Sequence, residues 1–492
     1  MNEMSKSKNT ISMDDIIEAV NPEQNLCVDE KDQVYMLVRK GASTEAINIK
    51  SKKFKPVLRK IARNLGARLK AADIDEIIEE LESMIWDYEK APITIEIRNA
   101  LSKDKASVLI DLCNDKGEII NLSAGNVEVL SKPNAKTKSV VFSRPKDMKP
   151  MVTPEFTSIK SGITRLKPFI NTDPNTFLQL VAYMTYILAH PKECGVPYPI
   201  LLIQGEKGSG KSFFSNSVTR TLLDPSSLDG LRMPRREQDF AIQVNSMFLG
   251  VYDNLRKLTK DQSDMLCTTA TKGNIASRTL YSDDGLTSLL LHAPLLLNGI
   301  HNFVTESDLA SRCFKVALVP MEEDKRKPEG LLKQELEAAL PEIFGSLLTL
   351  ASKTLVEEES AKVKYPARMM DFAKWLAAIE KVLGLGEGKL QKAYKLNVRN
   401  IMASGTEDDS LTVAMQKLIK SAANDKIWKA TPSRLLETLQ HHENPMYLPR
   451  GAAALTSKLK AQESSLNANG IYFKIGRDTE RYVMVSGKPL VA

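Results

Sequence analysis

Apolar residues recur at helical spacing between Lys52 and Arg68. Phe54, Val57, Leu58, Ile61 and Leu65 fall on one face and basic residues crowd the other. A second helix is expected over about 72–86, carried by Ile74, Ile77, Ile78, Leu81 and Ile85. The period then drops to two through ITIEIRNA, SVLIDLCND, IINLS, NVEVL and SVVFS, with Asp-Lys-Gly and Ala-Gly-Asn as turn signals between them. This pattern predicts a small α+β domain over 31–150, ending in a meander. A polar segment over 1–30 is expected to be loose, and the three prolines from Pro145 to Pro154 read as a linker.

Beyond the linker a helix is expected from about Pro174 to Leu188, followed by the strand YPILLIQ and a glycine-rich turn. Strands and helices alternate to about Val319, the pattern of an α/β core, here bounded at 151–325. Helical periodicity fills 326–405. After the acidic break GTEDDS, residues 406–492 read as three helices and a terminal two-stranded ribbon.

Composition narrows the class. Of the 492 residues 42% are hydrophobic and 26% charged, as in soluble globular proteins, and the longest apolar tracts are short and polar-flanked. A membrane partner is not expected. MNEMSKSKNT lacks the apolar core of a signal peptide. The five cysteines form no CxxC pair, which argues against structural zinc and a disulfide framework and for a reducing cytoplasm. A net charge of +7 permits a nucleic-acid partner without requiring one.

The strand YPILLIQ ends in Gly205-Glu206-Lys207-Gly208-Ser209-Gly210-Lys211-Ser212, a complete GxxxxGK[ST] phosphate loop in strand–loop–helix context. Its glycines let backbone N–H groups turn inward on the phosphates of ATP, and the start of the next helix adds partial positive charge. Lys211 would reach the β- and γ-phosphates, and Ser212 would join a Mg²⁺ shell. Such a loop needs a metal-holding acid on a neighbouring strand. MFLGVYD supplies Asp253, about 40 residues downstream. Asn254 follows it. An amide orients water but takes no proton, and it also suits the N-cap of the next helix. Asn298 ends a further apolar strand, APLLLNGI, where it is either a contact to the γ-phosphate or attacking water or a turn-forming Asn-Gly. Arg312 stands just before another strand, as a surface charge or as an arginine finger aimed at a neighbouring subunit.

The run VYDNLRKLTKDQSDMLCTTATKGNIASRTLYSDD, then APLLLNGI and SDLASRCFKVAL, resembles the ATPase module of phage and prophage proteins similar to superfamily 3 helicases, including the helicase half of poxvirus-type primase–helicases. The resemblance covers about 155–400. It implies an AAA+-type ATPase hydrolysing ATP with Mg²⁺ between subunits of a ring, with a hexamer expected. TKGNIASRTLYSDD (Thr271 to Asp284) matches a segment that in the family forms a DNA-contacting hairpin, with Lys272 and Arg278 as its basic contacts. Lys272 and Asn274 depart from the family's Gly and Asp.

At the C-terminus the order helix, helix, ribbon is that of a winged helix, with Thr431 and Pro432 starting a helix. Arg450, Lys458 and Lys460 would lie on or near the recognition helix, and Lys474, Arg477 and Arg481 on the wing, meeting either DNA phosphates or a protein. No carboxylate or cysteine cluster marks a primase centre. The expectation is therefore an α/β protein: a P-loop AAA+-like ATPase core with an N-terminal α+β domain and a C-terminal winged-helix-like domain. It would be a DNA helicase or translocase of phage or mobile-element replication in a bacterial cell, acting on single-stranded or forked DNA beside a replication initiator or primase. The alternative is a replication initiator or helicase loader that uses ATP as an assembly switch.

Overall fold

A computed structural model describes every residue except 1–10, 207, 279–285, 300–301, 321–325, 407–408, 422–426, 479 and 491–492. The chain divides into two compact units, Met1–Thr153 and Pro154–Ala492.

The first unit has more regular structure than the sequence pattern suggests. Helix α1 (Met13–Val20) is fixed by a capping box, in which Ser12 accepts from the Asp15 N–H and the Asp15 carboxylate accepts from Ser12. It buries Ile16, Ile17 and Val20. The segment expected to be loose is therefore folded from about Ile11 onward: three apolar residues on one face outweigh its polar composition. Strands β1 (Leu26–Val28), β2 (Val34–Lys40) and β3 (Ser43–Asn48) follow, then α2 (Phe54–Asn64) and α3 (Ala71–Met84). The chain continues through β4 (Ile95–Glu96), β5 (Asn99–Leu101), β6 (Val108–Asp111), β7 (Ile119–Ser123), β8 (Asn126–Leu130) and β9 (Val141–Phe142). Where a single meander was expected there are two sheets, β1-β2-β3-β9-β4 and β5-β6-β7-β8. Only the second is a meander. The proline-bearing segment also packs on this unit: Met151 is buried and its N–H donates to Leu112 O at 2.9 Å.

The second unit opens with α4 (Ile159–Leu166) and α5 (Pro174–Ala189), whose N-cap Asp173 accepts from two backbone N–H groups ahead of Pro174. A four-stranded parallel sheet follows in the order β11 (Gly250–Leu255), β14 (Leu295–Gly299), β10 (Ile200–Gln204), β15 (Cys313–Ala317). Leu231 adds a parallel bridge on the far side of β11. Helices α6 (Glu237–Asn245) and α7 (Lys260–Ala270) flank the sheet, and β12 (Gly273–Arg278) pairs with β13 (Leu286–Leu291) as a hairpin. The short helix α8 (Ser307–Ala310) precedes β15, and the longer helices α9 (Glu329–Glu358), α10 (Met370–Val382) and α11 (Lys389–Thr406) follow it. At 30 residues α9 is long and apolar enough to span a membrane by length and composition, contrary to the sequence expectation, but 67% of its apolar window is buried inside the unit, as in a core helix.

The C-terminal elements belong to the same compact unit. They are α12 (Ser410–Ser421), β16 (Trp428–Ala430), α13 (Pro432–Gln440), α14 (Ala452–Ala461), α15 (Glu463–Ala468), β17 (Tyr472–Arg477) and β18 (Arg481–Ser486). The expected ribbon gains a third strand: β16 pairs with β18, and β18 with β17. One more helix than expected, α15, separates α14 from β17. The fold is thus mixed α/β.

Candidate functional site at the strand ends

Strand β10 runs buried between β14 and β15, all parallel, and delivers the glycine-rich turn to the C-terminal edge of the sheet. Gly208 and Gly210 hold φ of +84° and +82°, a region that side-chain-bearing residues rarely enter, and each faces open space. The chain then turns into a helical stretch, with Phe214 N–H donating to Gly210 O at 2.9 Å. The Lys211 ammonium donates to Gly205 O and Glu206 O, each at 2.8 Å, so it lies folded over the loop. Burial lowers its pKa, opposed by the negative charge of Asp253. Ser212 is exposed at the helix start, Ser209 is 4% exposed, and Lys207 lies outside the described residues.

Asp253 and Asn254 sit where β11 departs from regular pairing with β14, between Tyr252 and Leu255. Asp253 N–H donates to Leu231 O at 2.9 Å, and the Asp253 carboxylate accepts from Asn254 N–H at 2.6 Å. Asn254 adopts φ of +58°, a left-handed conformation that asparagine tolerates. It does not cap the next helix. Thr259 does so, in a capping box with Gln262. Asn254 is therefore left exposed beside the carboxylate.

Asn298 pairs in register with Ile203, two residues before the loop. It is 1% exposed. Its Nδ2 reaches Ser215 Oγ, on the helical stretch after the loop, at a long 3.5 Å, and its Oδ1 has no partner among the described residues. Gln204 Nε2 and Ser209 Oγ are likewise buried without partners. Polar atoms buried without partners are uncommon in folded chains. Here three cluster at one edge of one sheet, around the glycine-rich turn, where a nucleotide with its metal would give them partners. Among the described residues no cluster of three His, Cys, Asp or Glu could hold a metal alone, so Ser212 and Asp253 would hold one only in company with phosphate oxygens.

The sequence reading missed a groove beside this edge. Arg232, Met233, Leu255, Arg256, Lys257 and Gln262 line it together with Asp253 and Asn254, enclosing about 420 Å³. Arg232 in LRMPRR and the pair Arg256-Lys257 in NLRKL were the available signal.

Arg312 lies at the opposite edge. Its carbonyl accepts from Ile200 N–H, at the start of β10, whereas the loop leaves from the other end of that strand. Four to five residues of strand put these ends ~15 Å apart. The guanidinium does not emerge. Arg312 is 7% exposed, and its Nη1 donates to Asp308 Oδ1 at 2.6 Å and Asp308 O at 2.8 Å. Arg368 Nη2 is 3.4 Å from the same carboxylate. Burial pushes the Asp308 carboxyl up, but the Arg312 hydrogen bond and the charges of Arg312 and Arg368 outweigh it and hold it below the usual range.

The other basic candidates are scattered. Lys272, with φ of +60°, is exposed at the base of the hairpin beside Gly195, and Arg278 ends β12; residues 279–284 of that segment lie outside the described residues. Arg450 and Lys460 are exposed before and at the end of α14. Lys458 on the same helix is not free, because it pairs with Asp409 at 2.8 Å. Lys474, Arg477 and Arg481 are exposed on the ribbon, with Arg477 and Arg481 directly opposite each other.

Comparison with known proteins adds a class. Residues 163–401 match the family model of the actinomycete integrative conjugative element replication protein, AICE RepA. Residues 411–489 match the model of the AICE RepA C-terminal domain. No curated protein matches the chain. Among solved structures, one described as "SCCmec type IV Cch - active helicase" aligns with TM-score 0.47 and 12% identity over 94% of this chain and 92% of that one. Another, described as "The A form apo structure of NrS-1 C terminal region-CTR", aligns with TM-score 0.32 and 10% identity over 75% and 94%.

Proposed function

We propose that this protein is an ATP-dependent DNA helicase or translocase that serves replication of a mobile genetic element in the bacterial cytoplasm. The observation that carries the reading is the meeting of Lys211, Asp253 and Asn298 at one edge of a parallel sheet, with the Asn298 strand between the loop strand and the Asp253 strand. With Leu231 as a fifth position beyond β11, this order supports a P-loop core of the AAA+ type. The replication-protein families matched by both halves of the second unit support the replication role.

The roles follow from the chemistry. Backbone N–H groups from Gly205 to Ser212 would bind phosphate oxygens, and Lys211 would leave its carbonyl partners to neutralise them. Mg²⁺, when bound, supplies charge stabilisation on those oxygens, and Ser212 and Asp253 are the side chains that would hold it. Asn254 would orient a water without deprotonating it, and Asn298 would supply an amide to the same water or to the terminal phosphate. The order α12–β16–α13–α14–α15–β17–β18, with the short α15 added before the ribbon, supports a winged helix that meets DNA through Arg450, Lys460 and Arg477. Lys272 and Arg278 would hold the backbone at the hairpin.

Two observations favour a second reading, an initiator or loader with slow turnover. Asn254 stands where an acid would activate water, and Arg312 is held inward on Asp308 rather than presented to a neighbour in a ring. Strand displacement on forked DNA separates the two. Displacement that requires hydrolysable ATP supports the motor. ATP-dependent assembly on DNA without displacement supports the switch.

A further inference from the structure

From Ala46 to Ala72 the chain holds nine lysines and arginines and no aspartate or glutamate. The whole chain carries +7, so all its other residues together carry −2. The protein's entire positive balance is therefore held by this one segment of the first unit. The fold concentrates it further. Helix α2 buries Phe54, Leu58 and Ala62, and Arg59, Lys60 and Arg63 are exposed on its other side. Lys52 is exposed just before the helix, and Arg68 and Lys70 just after it.

Internal charge pairing does not account for this face. Lys50 pairs with Glu82 at 2.5 Å, Lys55 with Asp75 at 2.6 Å, and Lys53 with Glu45. Lys52, Arg59, Lys60 and Arg63 form no ion pair among the described residues. Lys55, Arg59 and Arg63 repeat at four-residue steps, a spacing at which like charges repel along a helix. The compensating acids are not interleaved. Six of them, Asp73, Asp75, Glu76, Glu79, Glu80 and Glu82, are gathered on the next helix, α3. A merely solvated surface would mix the two signs along each helix, whereas here one helix is left to face a polyanion.

We propose that the outer face of α2, with Arg59, Lys60, Arg63 and Lys52, is a DNA contact of its own that grips the phosphate backbone without reading sequence. Guanidinium and ammonium groups suit phosphate oxygens. Apart from Asn64 at its end, the helix presents no amide to read base edges. A bilayer is disfavoured as the partner, because the apolar face that would enter it is already buried in the unit's core. The site lies outside the residues matched by either replication-protein family. It stands whether or not the second unit hydrolyses ATP.

The test uses the full chain and short random-sequence DNA, duplex and single-stranded, with affinity measured by fluorescence anisotropy from about 50 to 200 mM salt. For R59Q/K60Q/R63Q, loss of three phosphate contacts should make the duplex log–log salt slope shallower by about 2.7. R59K/R63K, which keeps the charge, should retain the wild-type slope. In the wild-type protein, acetylation of Lys52 and Lys60 by an amine-reactive ester should slow when the same DNA is present, a readout that does not depend on the triple variant folding. Unchanged slopes on both DNAs, or equal labelling with and without DNA, overturn the proposal. So does binding to phosphatidylserine vesicles that the triple variant loses while its DNA slope stays at the wild-type value.

Discussion

Glu380 and Asn298 are buried to almost the same degree, at 2% and 1% exposure, and both are polar. Their surroundings differ. Around Glu380, on α10, each carboxylate oxygen is used. Oε1 accepts from the backbone N–H groups of Leu390 and Gln391, and Oε2 from Gly388 N–H and the Gln391 side-chain amide. The three backbone N–H groups among them are orphan donors at the start of α11, so a side chain from one helix caps the next. Gln391 passes the arrangement on by accepting from Lys364 and Tyr365 N–H. At the strand ends, Asn298 has one long bond and an open oxygen, with Gln204 and Ser209 open nearby. A closed polar knot holds a fold together. An open one costs stability and is kept where something else completes it.

The comparison can be broken by mutation. Glu380→Ala strands four donors in a buried place and should cost about 3–5 kcal/mol in urea unfolding. A cost below about 1 kcal/mol would show that the knot is dispensable. Asn298→Ala should do the reverse. Unfolding should shift by no more than about 0.5 kcal/mol, while ATP hydrolysis should fall ~10²–10³-fold, the loss typical when one positioned donor is removed from a charge-stabilising site. A variant that unfolds easily yet hydrolyses normally would place Asn298 with Glu380.

The opposite edge of the sheet supplies intermediate cases. Arg312→Ala removes a largely buried guanidinium from a carboxylate that is itself more than half exposed, so the loss should be only about 1–2 kcal/mol. Mixing this variant with Lys211→Ala tests the finger role expected from sequence. Recovered hydrolysis in the mixture would mean that Arg312 leaves Asp308 to act across an interface. No recovery, with both variants assembling, would leave it a structural residue.

At neutral pH the smallest effect concerns His292, whose contribution shows only as the pH falls. Burial, together with the charges of Lys192 and Lys272, lowers its pKa from 6.5 to about 4. The folded state therefore resists a proton that the unfolded chain accepts. Its contribution to stability is complete above about pH 6.5 and declines as the pH falls toward 4, by at most about 1.4 kcal/mol per pH unit. His292→Gln should flatten the unfolding profile in that window. An unchanged profile would assign the acid sensitivity to other groups.

The candidate site was far more legible in sequence than the knot. The pattern that nominates it is local: one strand, eight residues and a helix start carry the GxxxxGK[ST] run, and the apolar strands that lead to Asp253 and Asn298 are visible the same way, whatever role these residues have. The Glu380 knot joins α10 to α11 through backbone donors that have no sequence signature. Strands β1, β3 and β16 escaped because they are short or polar on one side; β3, for example, reads STEAIN, whereas β2, VYMLVRK, was readable and was missed. The edge bridge at Leu231 depends on pairing across the sheet, and without it the groove lined by Arg232 and Arg256 had no visible neighbour for Asp253. The cap at Asn254 failed as an expectation because Thr259, five residues on, has the better partner in Gln262. The inward turn of Arg312 was readable, since Asp308 and Arg312 stand four apart in SDLASR.

The central claim is that the open polar edge of the sheet hydrolyses ATP in answer to DNA. Steady-state ATP hydrolysis by the full chain, with and without single-stranded DNA, tests it most directly when Lys211→Ala is measured alongside. The account predicts hydrolysis that DNA stimulates and that the variant lacks in both conditions. Hydrolysis at the same rate in Lys211→Ala, or none in the folded wild-type protein with DNA present, would contradict it.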